Sequence, residues 1–448
     1  MLYKRILMPA AVALAAAGAA GAQQPPKRIT FNDAIGIALQ QNVSVRQAQN
    51  TVALGETAVR QERIQRLPDL KLSVNGANNI GRNFSQADGA IVNQQTQSLS
   101  TGLSSSITLF DGGKTTSSIR SAQASADAND ADLTRARQTA VFTVATDFVA
   151  LANQREQQRV QEENLGAQQA QETLIKQLVD AGSRPVADLY QQQASVAAAK
   201  LAVVQAKRAV ELANIDLIQA LQLEAGGTYD FVTPPPTLTA SLPPENLDAL
   251  LARAVDKRSD LDAGQSRVDA ADQQIRVAKA SRLPSIGLSG SYTSGYSSAA
   301  DLALGSQLDQ RRGGSLGIGI SIPIFDRGSS SLAEQRAKIA ADNARMDLDA
   351  SKKAIELEVR RAYLDRTSAA EQLASAQAQQ TSATMALDMT QQRYRAGAAT
   401  LVEVTQARAQ QVQAASAVIT AQYNLLLQQT IMSYYTGELD PASTRLGA

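Results

Sequence analysis

Leu316-Gly-Ile-Gly-Ile-Ser-Ile-Pro-Ile-Phe325-Asp-Arg-Gly328 alternates aliphatic residues with Gly, Ser and Pro, then closes on an aspartate and a glycine. Such a period of two gives a strand one apolar face and one face of small or polar groups. An earlier stretch, Leu103-Ser-Ser-Ser-Ile107-Thr-Leu-Phe110-Asp111-Gly-Gly113, ends in the same way, and Phe110 lies 215 residues before Phe325. Outward from this pair the matches continue. Arg66-Leu67-Pro68 returns as Arg282-Leu283-Pro284, Ala181-Gly182 as Ala396-Gly397, and Phe31-Asn-Asp33-Ala34-Ile35 as Leu247-Asp248-Ala249-Leu250. Four landmarks in one order at nearly one spacing make a tandem duplication.

Within each copy the period changes twice. Residues 31–66 and 246–282 read as helices with Asn32 and Asn246 as N-caps, and Pro68 and Pro284 end them. Alternation follows: Leu70, Leu72 and Val74 share one parity, as do Ile286, Leu288, Gly290 and Tyr292, with return strands at 103–109 and 316–324. The spacing therefore predicts β-hairpins over 69–110 and 285–325, with loops near 84–94 and 298–311. Past Asp111 and Asp326 each copy becomes a proline-free helix to Gly182 or Gly397, about 70 residues or ~100 Å at 1.5 Å per residue. Val141, Val144, Phe148 and Leu151 keep the spacing of a coiled-coil seam. A second helix follows, to about Leu223 in one copy and Thr436 in the other. The two shorter helices together match one long helix, which suggests end-to-end pairs beside it.

The organisation expected is a leader over 1–22, a first repeat over 23–223, an irregular connection over 224–245 with a short strand at Tyr229–Val232, a second repeat over 246–436, and a loop-like tail over 437–448. The leader has a basic start (Lys4, Arg5), an apolar stretch from Ile6 to Ala20 and Ala20-Gly21-Ala22 before Gln23, the pattern of a Sec signal peptide.

Composition narrows the function. The 448 residues carry 43 basic and 42 acidic side chains, with no Cys, His or Trp. That balance gives no footprint for nucleic acid. Without Cys or His there is no disulfide framework, thiolate metal site, lipidated cysteine or histidine base. No nucleotide or metal motif appears, so neither an enzyme nor a cofactor is expected.

Outside the leader no stretch is apolar and long enough to span a bilayer as a helix, so any membrane passage must be a barrel. Each copy supplies two strands and the chain four, too few to close: barrels need about eight or more. Several copies must contribute, two giving eight strands and three giving twelve. The long polar helices then stand in an aqueous compartment, and a periplasm meets both demands.

The chain resembles the TolC family of outer-membrane efflux proteins over nearly all of the sequence after the leader. The resemblance rests on Ile29-Thr-Phe-Asn-Asp-Ala-Ile-Gly-Ile-Ala-Leu39-Gln-Gln-Asn42, both Leu-Pro entries to strands, both Phe-Asp turns, and Tyr394-Arg-Ala-Gly397-Ala-Ala-Thr-Leu-Val-Glu-Val404. It implies a mainly α fold with a membrane β-barrel: a homotrimer with a twelve-stranded barrel, four strands per protomer, continued by a long periplasmic α-helical barrel. It implies a passive duct in outer-membrane lipid that works with a periplasmic adaptor (membrane fusion) protein and an inner-membrane pump of RND, ABC or MFS type, in efflux or type I secretion.

The resemblance also implies a gate at the periplasmic tip. Tyr394 matches the tyrosine of a closing link and Asp188 its aspartate partner. Ala399 stands where a latch arginine can sit, so the second link is expected to be missing. Glu403 matches the first position of an acidic ring and Gln406 replaces the second, leaving one ring of three carboxylates whose mutual repulsion raises their pKa. Gly182 and Gly397 read as tight turns at positive φ that also face the adaptor.

Overall fold

The structure is a computed structural model that describes residues 27–85, 89–233, 246–300 and 302–439. The leader, residues 234–245 of the connection and residues 440–448 of the tail lie outside the described residues. The elements in chain order are β1 (Lys27–Thr30), α1 (Phe31–Gln41), α2 (Val43–Ile64), β2 (Lys71–Ser85), β3 (Ala90–Phe110), α3 (Lys114–Asp180), α4 (Val186–Ala220), β4 (Tyr229–Val232), α5 (Leu247–Lys257), α6 (Ser259–Ala280), β5 (Ser285–Ser297), α7 (Leu304–Gln310), β6 (Gly313–Ser321), α8 (Ser329–Arg395) and α9 (Leu401–Tyr435).

Apart from α7, the described helices of the two copies match in length. α1 and α5 have 11 residues each, α2 and α6 22, α3 and α8 67, and α4 and α9 35. Both long helices start in the same way, which explains the Phe-Asp turns. Asp111 accepts from the N–H groups of Gly113 at 3.0 Å and Thr115 at 2.7 Å, and Asp326 from those of Gly328 at 3.0 Å and Ser330 at 2.8 Å. Each carboxylate therefore satisfies N–H groups that a helix start leaves free.

The first helix of each copy is broken where one continuous helix was expected. Asn42 leaves the helical region at ψ 127° and its side chain accepts from Ser44 and Val45 N–H, so it ends α1 and caps α2. Arg258 makes the equivalent break at ψ 112°. The cap of α1 is Thr30, in a capping box with Asp33, and not Asn32. Asn246 does cap α5, accepting from Asp248 N–H.

α2 and α4 pack one after the other along α3. Val45 of α2 meets Leu133 and Ala140, and Gln192 of α4 donates to the Gln168 carbonyl at 2.9 Å. α6 lies between α3 and α8, with Arg267 paired to Asp132 and Arg345 to Asp272. α9 lies against both long helices through alanine-rich seams: Ala415, Ile419 and Tyr423 on Val149, Ala152 and Val160, and Val418, Ala421 and Leu425 on Ala369, Leu373 and Ala376. Alanine permits the close approach of backbones that such seams need. The largest core cluster gathers Ile29, Phe31, Phe148, Leu217 and Phe231 where β1 pairs in parallel with β4, with Phe148 edge-on to Phe31 at 5.4 Å and to Phe231 at 5.9 Å. β1 was not foreseen, while the strand at Tyr229–Val232 was.

The four longer strands form one antiparallel sheet in the order β2-β3-β5-β6. Its register aligns the apolar parities: Leu72 faces Leu103, which faces Tyr292, and Ile107 faces Leu288, which faces Ile318. The opposite parity aligns Ser73, Gly102 and Thr293, or Ser106, Ser289 and Gly317. A bulge between Thr108 and Phe110 brings Phe110 opposite Ile286, leaving Leu109 out of the ladder. β6 ends at Ser321, short of the expected Ile324, because Pro323 has no N–H for a ladder. The loop before it contains α7. Among the described residues no helix is long and apolar enough to cross a membrane.

Candidate functional site

At the end of the helices farthest along α3 and α8, two turns come side by side. α3 ends with Gly182 at φ +70°, Gly182 N–H donating to the Val179 carbonyl at 2.9 Å and Ser183 N–H to that of Leu178 at 2.8 Å. α8 ends identically, with Gly397 at φ +78°, its N–H on the Tyr394 carbonyl and Ala398 N–H on that of Arg393. Both are Schellman caps, in which left-handed backbone selects glycine. Nothing lies within 4 Å of a Cβ built at either glycine. The conformation, not crowding, requires them.

Tyr394, in the last turn of α8, is 2% exposed and packs with Ile175, Ala399, Leu401 and Val404, flanked by Val179 and Leu189. Its hydroxyl donates to the Asp188 carboxylate at 3.5 Å. A shielded phenol–carboxylate bond is nearer 2.6 Å, so this link is long and weak as it stands. Burial raises the Tyr394 pKa, the Arg184 guanidinium opposes that shift, and the Asp188 charge adds to it. The phenol stays protonated at neutral pH and remains a donor.

Arg184, which sequence reasoning missed, holds the same tyrosine by its ring and its main chain. Its guanidinium lies over the ring at 4.2 Å from the centroid and donates to the Tyr394 carbonyl at 2.6 Å. This bond ties the first turn to the end of α8, and the cation sits on the ring's negative face. The signal was present in the repeat, since Arg184 is the first-copy counterpart of Ala399. The latch position thus holds alanine in one copy and arginine in the other.

Glu403 is engaged within its own helix. Its carboxylate accepts from Thr400 N–H at 3.1 Å and from the Thr400 hydroxyl, while its N–H donates to that hydroxyl, completing a capping box for α9. Arg393 lies 3.6 Å away. The Thr400 N–H, then the hydroxyl, then Arg393 hold the Glu403 pKa below the usual carboxylate value. Within one protomer the shift is therefore opposite in sign to that expected from a ring of three. Gln406 is exposed on the next turn. A cavity of about 670 Å³ opens between the turns, lined by Leu174, Leu178, Ser183, Arg184, Tyr394 and Gly397 among others.

The model of the outer membrane efflux protein family matches residues 34–222 and 250–438, one match for each repeat. The chain belongs to the outer membrane efflux protein family. It is 23% identical over 331 residues to the outer membrane efflux protein BepC of Brucella suis, covering 74% of this chain and 70% of BepC. It is 30% identical over 339 residues to the pyoverdine export outer membrane protein OpmQ of Pseudomonas aeruginosa, covering 72% of this chain and 66% of OpmQ. Among solved structures CusC superposes with a TM-score of 0.80 at 20% identity, over 91% of this chain and 92% of CusC. The fold is thus TolC-like, and this efflux protein is an outer-membrane exit duct rather than an enzyme.

Proposed function

We propose that three copies of this efflux protein close their four-stranded sheets into one twelve-stranded barrel, β6 of each copy pairing with β2 of the next. The observation that carries this is the sheet itself, with one face aligned as Leu72, Leu103 and Tyr292 and both edge strands exposed. An open sheet edge cannot persist in hydrocarbon, and four strands cannot close alone. The parity of Ser, Gly, Thr and Asn faces the lumen, while the 67-residue helices extend the duct for about 100 Å into the periplasm.

In this reading the chain divides into a leader cleaved after Ala22, repeats over 23–223 and 246–436, the connection 224–245 and the tail 437–448. Export runs through that leader, and a chain without cysteine offers no thiol for a lipid anchor. The duct receives substrates from an inner-membrane pump of RND, ABC or MFS type through a periplasmic adaptor that engages the turns at Gly182 and Gly397. Tyr394 and Asp188 form the link that keeps the tip closed, and Glu403 with Gln406 lines the entrance.

Fractionation, cross-linking and planar-bilayer recording test this together. The expected result is an outer-membrane trimer that conducts ions. A soluble monomer without conductance would falsify the reading.

A further inference from the structure

The two hairpins of the sheet differ in height. β2 and β3 remain paired along all 15 residues of β2, from Lys71 opposite Ser104 to Ser85 opposite Ala90. β6 has 9 residues, and its last pair on β5 is Gly313 opposite Thr293. At about 3.3 Å per residue and a tilt of about 40°, nine residues rise about 23 Å, close to the ~25 Å apolar band of an outer-membrane barrel. Fifteen residues rise about 38 Å by the same measure, about 13 Å more than that band needs.

The side chains change at the same level. On the outward parity Leu72 and Val74 face Leu103 and Thr101, but farther up Asn78 faces Gln97 and Arg82 faces Asn93. On the other parity Ala77 faces Ser98 and Asn79 faces Thr96. The outer part of this hairpin is therefore mostly polar on both faces, with Ile80, Val92 and the cross-strand pair Phe84–Ile91 as its apolar exceptions. Polar faces gain nothing from hydrocarbon, and above β6 the edge of β2 would meet no neighbouring strand there.

The second hairpin ends differently. Where β6 stops, Gln307 of α7, 1% exposed, takes the place of a strand. Its amide oxygen accepts from Ser297 N–H at 2.9 Å and its amide nitrogen donates to the Ser297 carbonyl at 3.0 Å. Tyr292 and Tyr296 stand on the outward parity just below, as aromatics do at a membrane surface.

We propose that residues 80–85 and 90–95 stand clear of the bilayer as a solvated β-finger on the cell surface, while the second hairpin stops at the membrane plane. Three such fingers then ring the exit of the duct. The proposal rests on the trimeric-barrel reading.

Because the chain has no cysteine, single-cysteine variants report without background. Arg82→Cys and Asn93→Cys test the finger, Val74→Cys and Leu103→Cys the lipid band, each probed on intact cells with a membrane-impermeant maleimide. The finger variants should react at least about tenfold faster, since a thiol in apolar surroundings does not ionise. If they react as slowly as the band variants, yet fully once unfolded, the finger is buried and the proposal fails. Fast labelling at all four positions would instead mean that the sheet is not in lipid, which defeats the barrel reading itself.

Discussion

Asp188 and Glu403 occupy the same position in the two copies, the third residue of α4 and of α9, yet they bond to different partners. Glu403 turns back on Thr400, the N-cap of α9, and completes a capping box. The N-cap of α4 is Pro185, which has neither an N–H nor a hydroxyl to offer, and no side-chain cap forms there. Asp188 is left free to accept from Tyr394 across the helix pair. One substitution between repeats, proline against threonine, thus separates a carboxylate that caps its own helix from one that bridges two hairpins.

Pro185→Thr should therefore weaken the link without touching either of its members. Threonine supplies the N–H and hydroxyl that Asp188 lacks, and the extended backbone at Pro185, φ −69° and ψ 145°, suits an N-cap. The helix start gains about 0.5–2 kcal/mol as Asp188 is drawn away from Tyr394. Single-channel recording should then find higher conductance or more frequent opening than in the unmodified protein. Unchanged gating, together with a cap confirmed by higher thermal stability, would show that the bridge is not a latch.

Tyr394→Phe keeps the buried ring and the cation contact but removes the donor to Asp188. Its stability cost should be about 1 kcal/mol or less, since the bond is long, while antibiotic leakage through the duct rises. Arg184→Met removes the cation from the ring and the bond to the Tyr394 carbonyl, and should increase leakage further. The measurement is sensitivity to a large antibiotic in cells that lack other outer-membrane ducts. Equal sensitivity of both variants and the parent would count against the gate.

Most of the fold was legible because the repeat and the change of period are local signals. Pro68, Pro284 and the two Phe-Asp turns mark the junctions, and the helices between them lack any breaking residue except in their first parts. Asn42 breaks its helix by accepting backbone N–H groups, whereas Arg258 makes no side-chain cap and is by propensity a good helix former, so nothing local marks its break. The bulge at Leu109 depends on a partner strand more than 170 residues away, which no local pattern reports. At the tip, Tyr394 and Asp188 were brought together as expected, but Arg184 lay in an ordinary turn sequence. Its contact with Tyr394 needs the two hairpins side by side, and so does its significance.

Acid should loosen the helix starts that carboxylates hold. The Ser330 hydroxyl, then Ser330 N–H and Gly328 N–H, bring the Asp326 pKa from 3.8 to about 2. A lowered pKa means a contribution that is complete above pH 3.8 and is lost as pH falls toward 2. Asp326→Asn should melt below the parent protein near neutral pH, and the gap should close across that window. Thermal unfolding followed at several pH values checks this, and a gap that stays constant down to pH 2 would exclude the linkage.

Arg258 makes the most demanding stability prediction, because it is a buried charge at a helix break. Its side chain is 5% exposed and bonds Asp260 at 2.5 Å and Glu358 at 2.7 Å, tying the α5–α6 junction to the middle of α8. Its counterpart in the first copy is Asn42, a neutral cap. Removing one partner of a buried pair costs about 3–5 kcal/mol, since the remaining charges lose their compensation. Here Asp260 and Glu358 remain 32% and 40% exposed, so solvent screening places the cost of Arg258→Met at or below the lower end, about 2–3 kcal/mol. Adding Asp260→Asn and Glu358→Gln to that variant should recover part of the loss, because the two carboxylates are then no longer unpaired, while neighbouring Arg135 loses their charge as it loses the repulsion of Arg258. A triple variant no more stable than Arg258→Met would mean that packing of the arginine stem, rather than its charge, holds the junction.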